Sequence, residues 1–371
     1  MATLLVTNDY PPTVGGIQSY LRDFLSTVDP DEIMVFASTQ DTQAAAEYDA
    51  ASAYRTVRWP RSVMLPTPAT VARMQELIRK HKIETVWFGA AAPLALMGAA
   101  AKRAGATRVI ATTHGHEVGW SMLPFARQAL TFIGRHADIV TYISQYTLNR
   151  FRSAFGPSPR YVHLPSGVNT DFFRPATKNE VAKTRQKWSL GGGPVIVCAS
   201  RLVPRKGQDQ LIRCMPQILE SFPDAHLVIV GRGRYRAALE ALAADISHAV
   251  MFTGAVSSED MRDLVAAADI FAMPARTRGG GLDVEGLGIV YLEAQACGVP
   301  VIAGNSGGAP ETVTPETGLV VDGADTCEIT SAIVSLLDDP LRRARLGQAG
   351  RAHVLEHWTW DLMGQRLNSL L

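Results

Sequence analysis

The strongest constraint on the fold of this chain is an alternation that runs nearly from end to end. Short apolar runs (TLLVTN, IMVFAS, TVWFGA, RVIATTH and IVTYIS, then PVIVCAS, HLVIVG, VMFTG, IFAMPA and VPVIAG) are separated by stretches with helical spacing. These stretches include GIQSYLRDFL, ATVARMQELIRKH, GQDQLIRCMPQILESF, SEDMRDLVAAAD and IVYLEAQACG. Near-continuous apolar runs of this length suit strands buried on both faces of a parallel sheet. Strand–helix alternation then predicts right-handed crossovers and doubly wound, Rossmann-like α/β domains. The pattern breaks once, in a Pro- and Ser-rich stretch followed by GGGP at 191–194. The expected division is an N-terminal domain over 1–174, a linker over 175–192, a C-terminal domain over 193–355 and a terminal helical segment over 356–371. In such sheets ligands bind beyond the carboxyl ends of the strands, and two facing domains would put the site in the cleft between them.

Composition narrows the function. Apolar residues make up 47% and charged residues 19%, and the net charge is +1, so cores are affordable and nothing draws the whole chain toward nucleic acid. The four cysteines, Cys198, Cys214, Cys297 and Cys327, lack paired spacing and read as thiols in a reducing, cytoplasmic compartment. The start reads as a strand rather than a signal peptide, and no apolar run approaches the ~18 residues of a membrane span.

Candidate chemistry sits just after strands. Gly15-Gly16 precedes a helix, where backbone amides can meet an anion or merely form a turn. His114-Gly115-His116-Glu117 invites a zinc reading, but ligand spacing and a complementary cluster are missing, so a polar loop toward substrate is expected. Arg201-Leu202-Val203-Pro204-Arg205-Lys206 places cations at a strand end before a helix, a ready site for a diphosphate. Gly231-x-Gly233 lacks the rest of a dinucleotide fingerprint, because position 236 is Arg and the later acid is absent. There is no P-loop motif, and Asp29-Pro30-Asp31 has turn composition.

The stretch LDVEGLGIVYLEAQACGVP carries two carboxylates, Glu285 and Glu293, around Gly286-Leu287-Gly288. A helix starting near Gly288 places Glu293 roughly 7–8 Å along its axis. The two carboxylates then lie about 10 Å or more apart, beyond the roughly 5–9.5 Å of a hydrolytic pair. They are better suited to gripping two parts of one long ligand, with the amides of Gly286 to Val290 facing an anion between them.

Together these pieces resemble the retaining glycosyltransferases of family 4, with the two-domain GT-B fold. The specific element is E-x7-E, here Glu285-GLGIVYL-Glu293 followed by AxAxGxPVIA, and the resemblance covers essentially the whole chain. EGLG stands where the family prefers EGFG. Longer strings (NDYPPTVGGIQSYLRDF, RWPRSVMLPTP, HGHEVGWSMLP, SRLVPRKGQD) look like the actinobacterial enzymes that move mannose from GDP-mannose to phosphatidylinositol monomannoside. The resemblance implies a terminal helix returning to the N-terminal domain and a nucleotide sugar donor without an obligatory metal. Arg201 and Lys206 would bind the diphosphate, and Glu285 would bind the sugar hydroxyls. Gly286, Leu287, Gly288, Ile289 and Val290 would offer amides, and Glu293 would hold the ribose. Gly16 would meet the diphosphate on closure, His116 would sit by the transferred sugar, and Asp9 and Gln18 would lie on the acceptor side. Val256 and Ser258 would read the base, guanine by the closer match and uracil being the alternative.

Between 55 and 82, Arg55, Arg58, Arg61, Arg73, Arg79, Lys80 and Lys82 face one acid, Glu76, and mix with Met, Leu and Ile. This segment is expected either to attach the protein to the anionic inner face of a membrane, near a glycolipid acceptor, or to be an ordinary amphipathic helix on its own sheet. WSMLPF (Trp120 to Phe125) could add apolar contact. An epimerase or phosphorylase would share the fold, a dehydrogenase would need the missing fingerprint, and a non-catalytic membrane module would not need Glu285, Arg201 and Lys206 together.

Overall fold

The computed structural model of the protein describes residues 2–371, and they form two compact units. The first unit runs to Gly167 and includes Trp360–Leu371; the second is Val168–Thr359. The first is built on seven strands: β1 (Thr3–Thr7), β2 (Ile33–Ala37), β3 (Arg55–Arg58), β4 (Thr85–Phe88), β5 (Arg108–Thr112), β6 (Ile139–Tyr142) and β7 (Arg160–His163). Their order is β3-β2-β1-β4-β5-β6-β7 and every pairing is parallel. The second holds six: β8 (Val195–Ala199), β9 (His226–Val230), β10 (Val250–Gly254), β11 (Ile270–Met273), β12 (Val301–Gly304) and β13 (Gly318–Val321). Their order is β10-β9-β8-β11-β12-β13, again all parallel. The doubly wound α/β class expected from the alternation is therefore what the chain adopts, twice.

Alternate residues of one strand serve opposite faces of the sheet. In the first unit Leu4, Val6, Met34, Phe36, Val86 and Phe88 join one core, whereas Leu5, Ile33, Val35, Trp87 and Ile110 join the other. Both faces are dry, which explains why these strands read as continuous apolar runs. The edge strands β3 and β7 read differently. Each begins and ends with a basic residue or His and is half-exposed, so neither stood out as a strand.

Two boundaries differ from expectation. The expected linker over 175–192 contains the helix Lys178–Lys187. Thr177 and Glu180 form a reciprocal cap at its start, and Arg185 bonds Asp269 at 2.9 Å in the same unit. The capping signature TKNE was present but overshadowed by flanking Pro and Ser. The chain passes from the first unit to the second at 167/168, and back again at 359/360. The last helix, Trp360–Asn368, lays Met363 and Leu367 into the core of the first unit, and the Trp360 ring meets Phe24 edge-on at 5.0 Å.

Strand order reverses between β1 and β4 in the first unit and between β8 and β11 in the second. Crevices at such switch points are where open α/β sheets hold ligands. The segments singled out from sequence leave β1, β8 and β11.

Candidate functional site

The segment after β8 is held rigidly. Gln208, fully buried, donates its amide to Ser200 Oγ at 2.8 Å and to the Arg201 carbonyl at 3.0 Å. Arg201 itself stays exposed, and among the described residues no ion pair engages it. Lys206 is 8% exposed and ends the short turn Pro204–Lys206, its ammonium 2.6 Å from Glu285 Oε2.

Glu285 is placed by its backbone. Its N–H donates to Ser306 Oγ at 3.2 Å and its carbonyl accepts from Gly308 N–H at 2.9 Å. A Cβ on Gly307 would lie 1.9 Å from the Glu285 carbonyl oxygen, so only glycine permits this approach. Gly288 adopts φ +86° and caps the helix Ile289–Ala296, and a Cβ there would strike the Tyr291 ring at 2.5 Å. First-turn amides of a helix have no partner inside it, and Val290 in this turn lines the same cavity as Arg201.

The loop after β11 is pinned by ion pairs to the segment after β8 that the sequence does not foretell. Arg276 bonds the buried carboxylate of Asp209 at 2.9 Å, and Arg205 reaches Asp283 at 3.3 Å. Buried Arg205 Nε, Asp209 Oδ1 and Arg276 Nη1 lack hydrogen-bond partners. Such atoms are costly unless a polar ligand or water meets them, so the region is built for polar company. The only sequence signal for this network was the clustering of Arg, Lys and Asp just beyond β8 and β11.

Beside these groups lies a cavity of about 550 Å³ whose walls include Arg201, Val256, Ser258, Met261 and Val290. Four residues predicted separately for diphosphate, base and sugar thus share one hollow in the second unit. Glu293 follows Val290 by three positions on the same helix. Burial raises its carboxyl to about 7, so it holds its proton near neutrality. The pair Glu285 and Glu293 is therefore asymmetric: one is locked on a lysine, and the other is desolvated and has no ion pair among the described residues.

In the first unit, Gln18 donates to Asp9 Oδ1 at 3.1 Å. Burial raises the Asp9 carboxyl, against the opposing charge of nearby His116. Asp9, Gln18 and His116 thus come together from scattered positions. Gly16, exposed, starts the helix Gly16–Leu25. The His114–Glu117 loop is organised without a metal-like arrangement. His114 Nε2 donates to the Gly89 carbonyl at 2.7 Å, and burial holds its imidazole neutral, down to about 4. Glu117 Oε2 accepts the amides of His114 and Gly115, both at 3.1 Å, and its Oε1 lies 3.2 Å from His116. Among the described residues no group of His, Cys, Asp and Glu could hold a metal ion. The Asp29-Pro30-Asp31 stretch is a turn, with the Asp31 amide on the Asp29 carboxylate at 2.9 Å.

The segment 55–82 divides its cations between the interior and the surface. Arg58 is internal: its guanidinium pairs with Asp49 at 2.8 Å, bonds the Pro11 and Ser38 carbonyls and lies over the Tyr10 ring. The helix Pro68–His81 points Met74, Leu77 and Ile78 into the core, leaving cations without an apolar stripe on its outer face. The alternative of an amphipathic helix on its own sheet describes Pro68–His81, whereas Val63 and Leu65 in the loop before it stay exposed.

The Glycosyltransferase Family 4 model matches residues 14–172 and the Glycosyl transferases group 1 model residues 180–353. A GDP-mannose-dependent monoacylated alpha-(1-6)-phosphatidylinositol monomannoside mannosyltransferase of Corynebacterium glutamicum is 63% identical over 100% of this chain and 97% of its own. GDP-mannose-dependent alpha-(1-6)-phosphatidylinositol monomannoside mannosyltransferases of Mycolicibacterium smegmatis and Mycobacterium tuberculosis are 56% and 53% identical, each over 99% of this chain and 97% of theirs. Among solved structures, Anabaena HepE in complex with UDP superposes with TM-score 0.85 at 20% identity, covering 100% of this chain and 99% of that one.

Proposed function

Because the chain belongs to glycosyltransferase family 4, we propose that it transfers mannose, with retention of configuration, from GDP-mannose to a phosphatidylinositol mannoside acceptor at a membrane surface. The carrying observation is the convergence in one unit of the cavity, the exposed Arg201, the Lys206–Glu285 contact and the helix opening at Gly288. That set offers an anionic donor cations and amides on one side and a carboxylate for hydroxyls on the other. The relatives named for GDP-mannose and phosphatidylinositol monomannoside support the choice of donor and acceptor.

In this reading the base enters the cavity beside Val256 and Ser258, and Glu293 holds the ribose. Arg201 and Lys206 meet the diphosphate, and they supply the counter-charge without an obligatory metal. Before the donor arrives Glu285 partners Lys206; with the donor present the lysine shares its charge with the diphosphate and Glu285 turns to the sugar hydroxyls. Charge grows on the diphosphate as the glycosidic bond breaks, so preorganised cations favour the transition state over the ground state. No carboxylate is assigned as nucleophile. The acceptor hydroxyl attacks from the face the diphosphate leaves, and its proton passes to that diphosphate. Asp9, Gln18 and His116 orient the acceptor side.

The test is transfer of radiolabelled mannose from GDP-mannose into extracted lipid, with calorimetric titration of GDP and UDP and their mannose and glucose conjugates alongside. Label in lipid that persists in EDTA, with GDP bound far more tightly than UDP, is the expected result. Tight UDP binding with no label in lipid would overturn the reading.

A further inference from the structure

The proposed acceptor is a lipid, and among the described residues no helix is long and apolar enough to cross a membrane. The chain therefore needs a surface to meet the bilayer. The helices Glu117–Met122, Pro124–His136 and Gln145–Phe155 pack on one another in the first unit and expose a corner of large apolar residues. Leu123 is 62% and Phe125 86% exposed, with Met122 and Phe132 also open to solvent. Phe125, Phe132 and Arg135 recur at helical spacing on one face of Pro124–His136.

The charge around this corner has one sign. From 118 to 163 the chain carries Arg127, Arg135, Arg150, Arg152 and Arg160 and a single acid, Asp138. Asp138 is occupied by Lys102 at 2.7 Å, and the neighbouring Glu117 is buried. None of the five arginines has an ion pair among the described residues. Arg127 bonds the Ser121 carbonyl at 3.2 Å and Arg150 reaches Met122 Sδ at 3.6 Å, so guanidinium groups lie directly against the apolar corner. A hollow of about 500 Å³ at the end of Gln145–Phe155, lined by Asn149, Arg152, Ser153 and Tyr161, offers donors suited to a phosphodiester headgroup.

We propose that this three-helix surface, rather than the segment 55–82, docks the protein on an anionic bilayer, with Leu123-Pro124-Phe125 entering the interface and the arginines meeting lipid phosphates. An exposed aromatic and aliphatic tip ringed by unpaired cations is the pairing that interfacial binding uses. With Asp138 held by Lys102 and Glu117 buried, the uncompensated arginines single out an anionic lipid surface as the occupant. The proposal rests on the reading that the acceptor is a glycolipid.

The experiment is sedimentation of the whole protein with vesicles of phosphatidylcholine, with and without phosphatidylinositol. The wild type should sediment only with the anionic vesicles, and less as salt rises. The variant L123S/F125S should lower partition on the order of ten-fold through lost apolar burial. R135Q/R152Q should lower it about 5-fold per arginine. R79Q/K80Q/K82Q, altering the exposed cations of the other segment, should stay near wild type. GDP titration of every variant should remain unchanged, which separates lost docking from lost folding. Wild-type partition by L123S/F125S, loss of binding in R79Q/K80Q/K82Q, or a concentration-dependent dimer that L123S/F125S dissolves would each overturn the proposal. Mannose transfer is assayed apart: vesicle binding through this face with no transfer would cost the acceptor reading and leave the docking surface standing.

Discussion

The loops after β1 and β8 occupy the same place in two sheets of the same winding, yet they are built from different interactions. Beyond β8 and β11 the contacts are ionic and largely buried: Lys206 with Glu285, Arg276 with Asp209, and Arg205 with Asp283. Beyond β1 they are hydrogen bonds among amides and short polar groups. Gln18 reaches Asp9, and the Asn8 side chain donates to the Met64 carbonyl at 2.9 Å and accepts from the Met64 amide at 2.6 Å. Buried charges are expensive unless paired, and they are worth keeping where a ligand will bring charge of its own. A diphosphate does, whereas a sugar hydroxyl does not. Under the proposed function this contrast fits the nucleotide diphosphate on the second unit and the sugar hydroxyls of the acceptor on the first.

The largest expected effect breaks the ionic half. Arg201→Ala or Lys206→Ala should lower kcat by roughly 10²–10³-fold in steady-state transfer assays, since each removes a cation facing developing charge. Normal turnover in either would refute the assignment. Next, Gly307→Ala would place a methyl against the Glu285 carbonyl, at a φ of +59°. A stability loss of about 3 kcal/mol in chemical denaturation is expected. Stability close to wild type would show that Glu285 is not fixed by that close approach.

Glu293→Gln sharpens the comparison through pH. Burial raises Glu293 from 4.5 to about 7, so the folded chain keeps a proton that the unfolded chain has released. Wild-type stability should therefore fall as pH rises from the ordinary carboxylate range to about 7, and level off above it. Without donor, the variant should gain about 3 kcal/mol over wild type at pH 8 and little at pH 4. Its GDP affinity should drop at the same time. Parallel melting curves across that range would contradict a desolvated carboxyl. The smallest effect tests the neutral half. Gln18→Ala should raise the acceptor KM about 5-fold, the worth of roughly 1 kcal/mol for one hydrogen bond, with GDP binding unchanged.

Much of the candidate site was legible in the sequence because strand ends are legible. Arg201, Lys206 and Glu285 follow apolar runs that are β8 and β11, and glycines mark the turns. Asp9, Gln18 and His116 were assignable only through resemblance, since nothing local links residue 9 to residue 116. Asp209 and Arg276 carry no such signal, because alone each reads as solvated surface charge, and Arg205 reads as one more diphosphate cation rather than as the partner of Asp283. The segment 55–82 leaves its two alternatives open in the sequence for the converse reason. Its composition fits a membrane contact, but the pattern of Met74, Leu77 and Ile78 does not say which apolar partner they meet. The corner at Leu123 and Phe125 is weakly patterned and gains meaning only when its neighbours are seen to be arginines.

The order of strands and helices, the parallel sheets and the glycine turns follow from the sequence itself, because periodicity and backbone freedom act over a few residues. Which charges become pairs, which carboxylate is desolvated, and which apolar residues remain outside were decided by tertiary structure. Burial and Coulomb energies depend on groups brought together from distant parts of the chain, as Lys206 and Glu285 are across 79 positions.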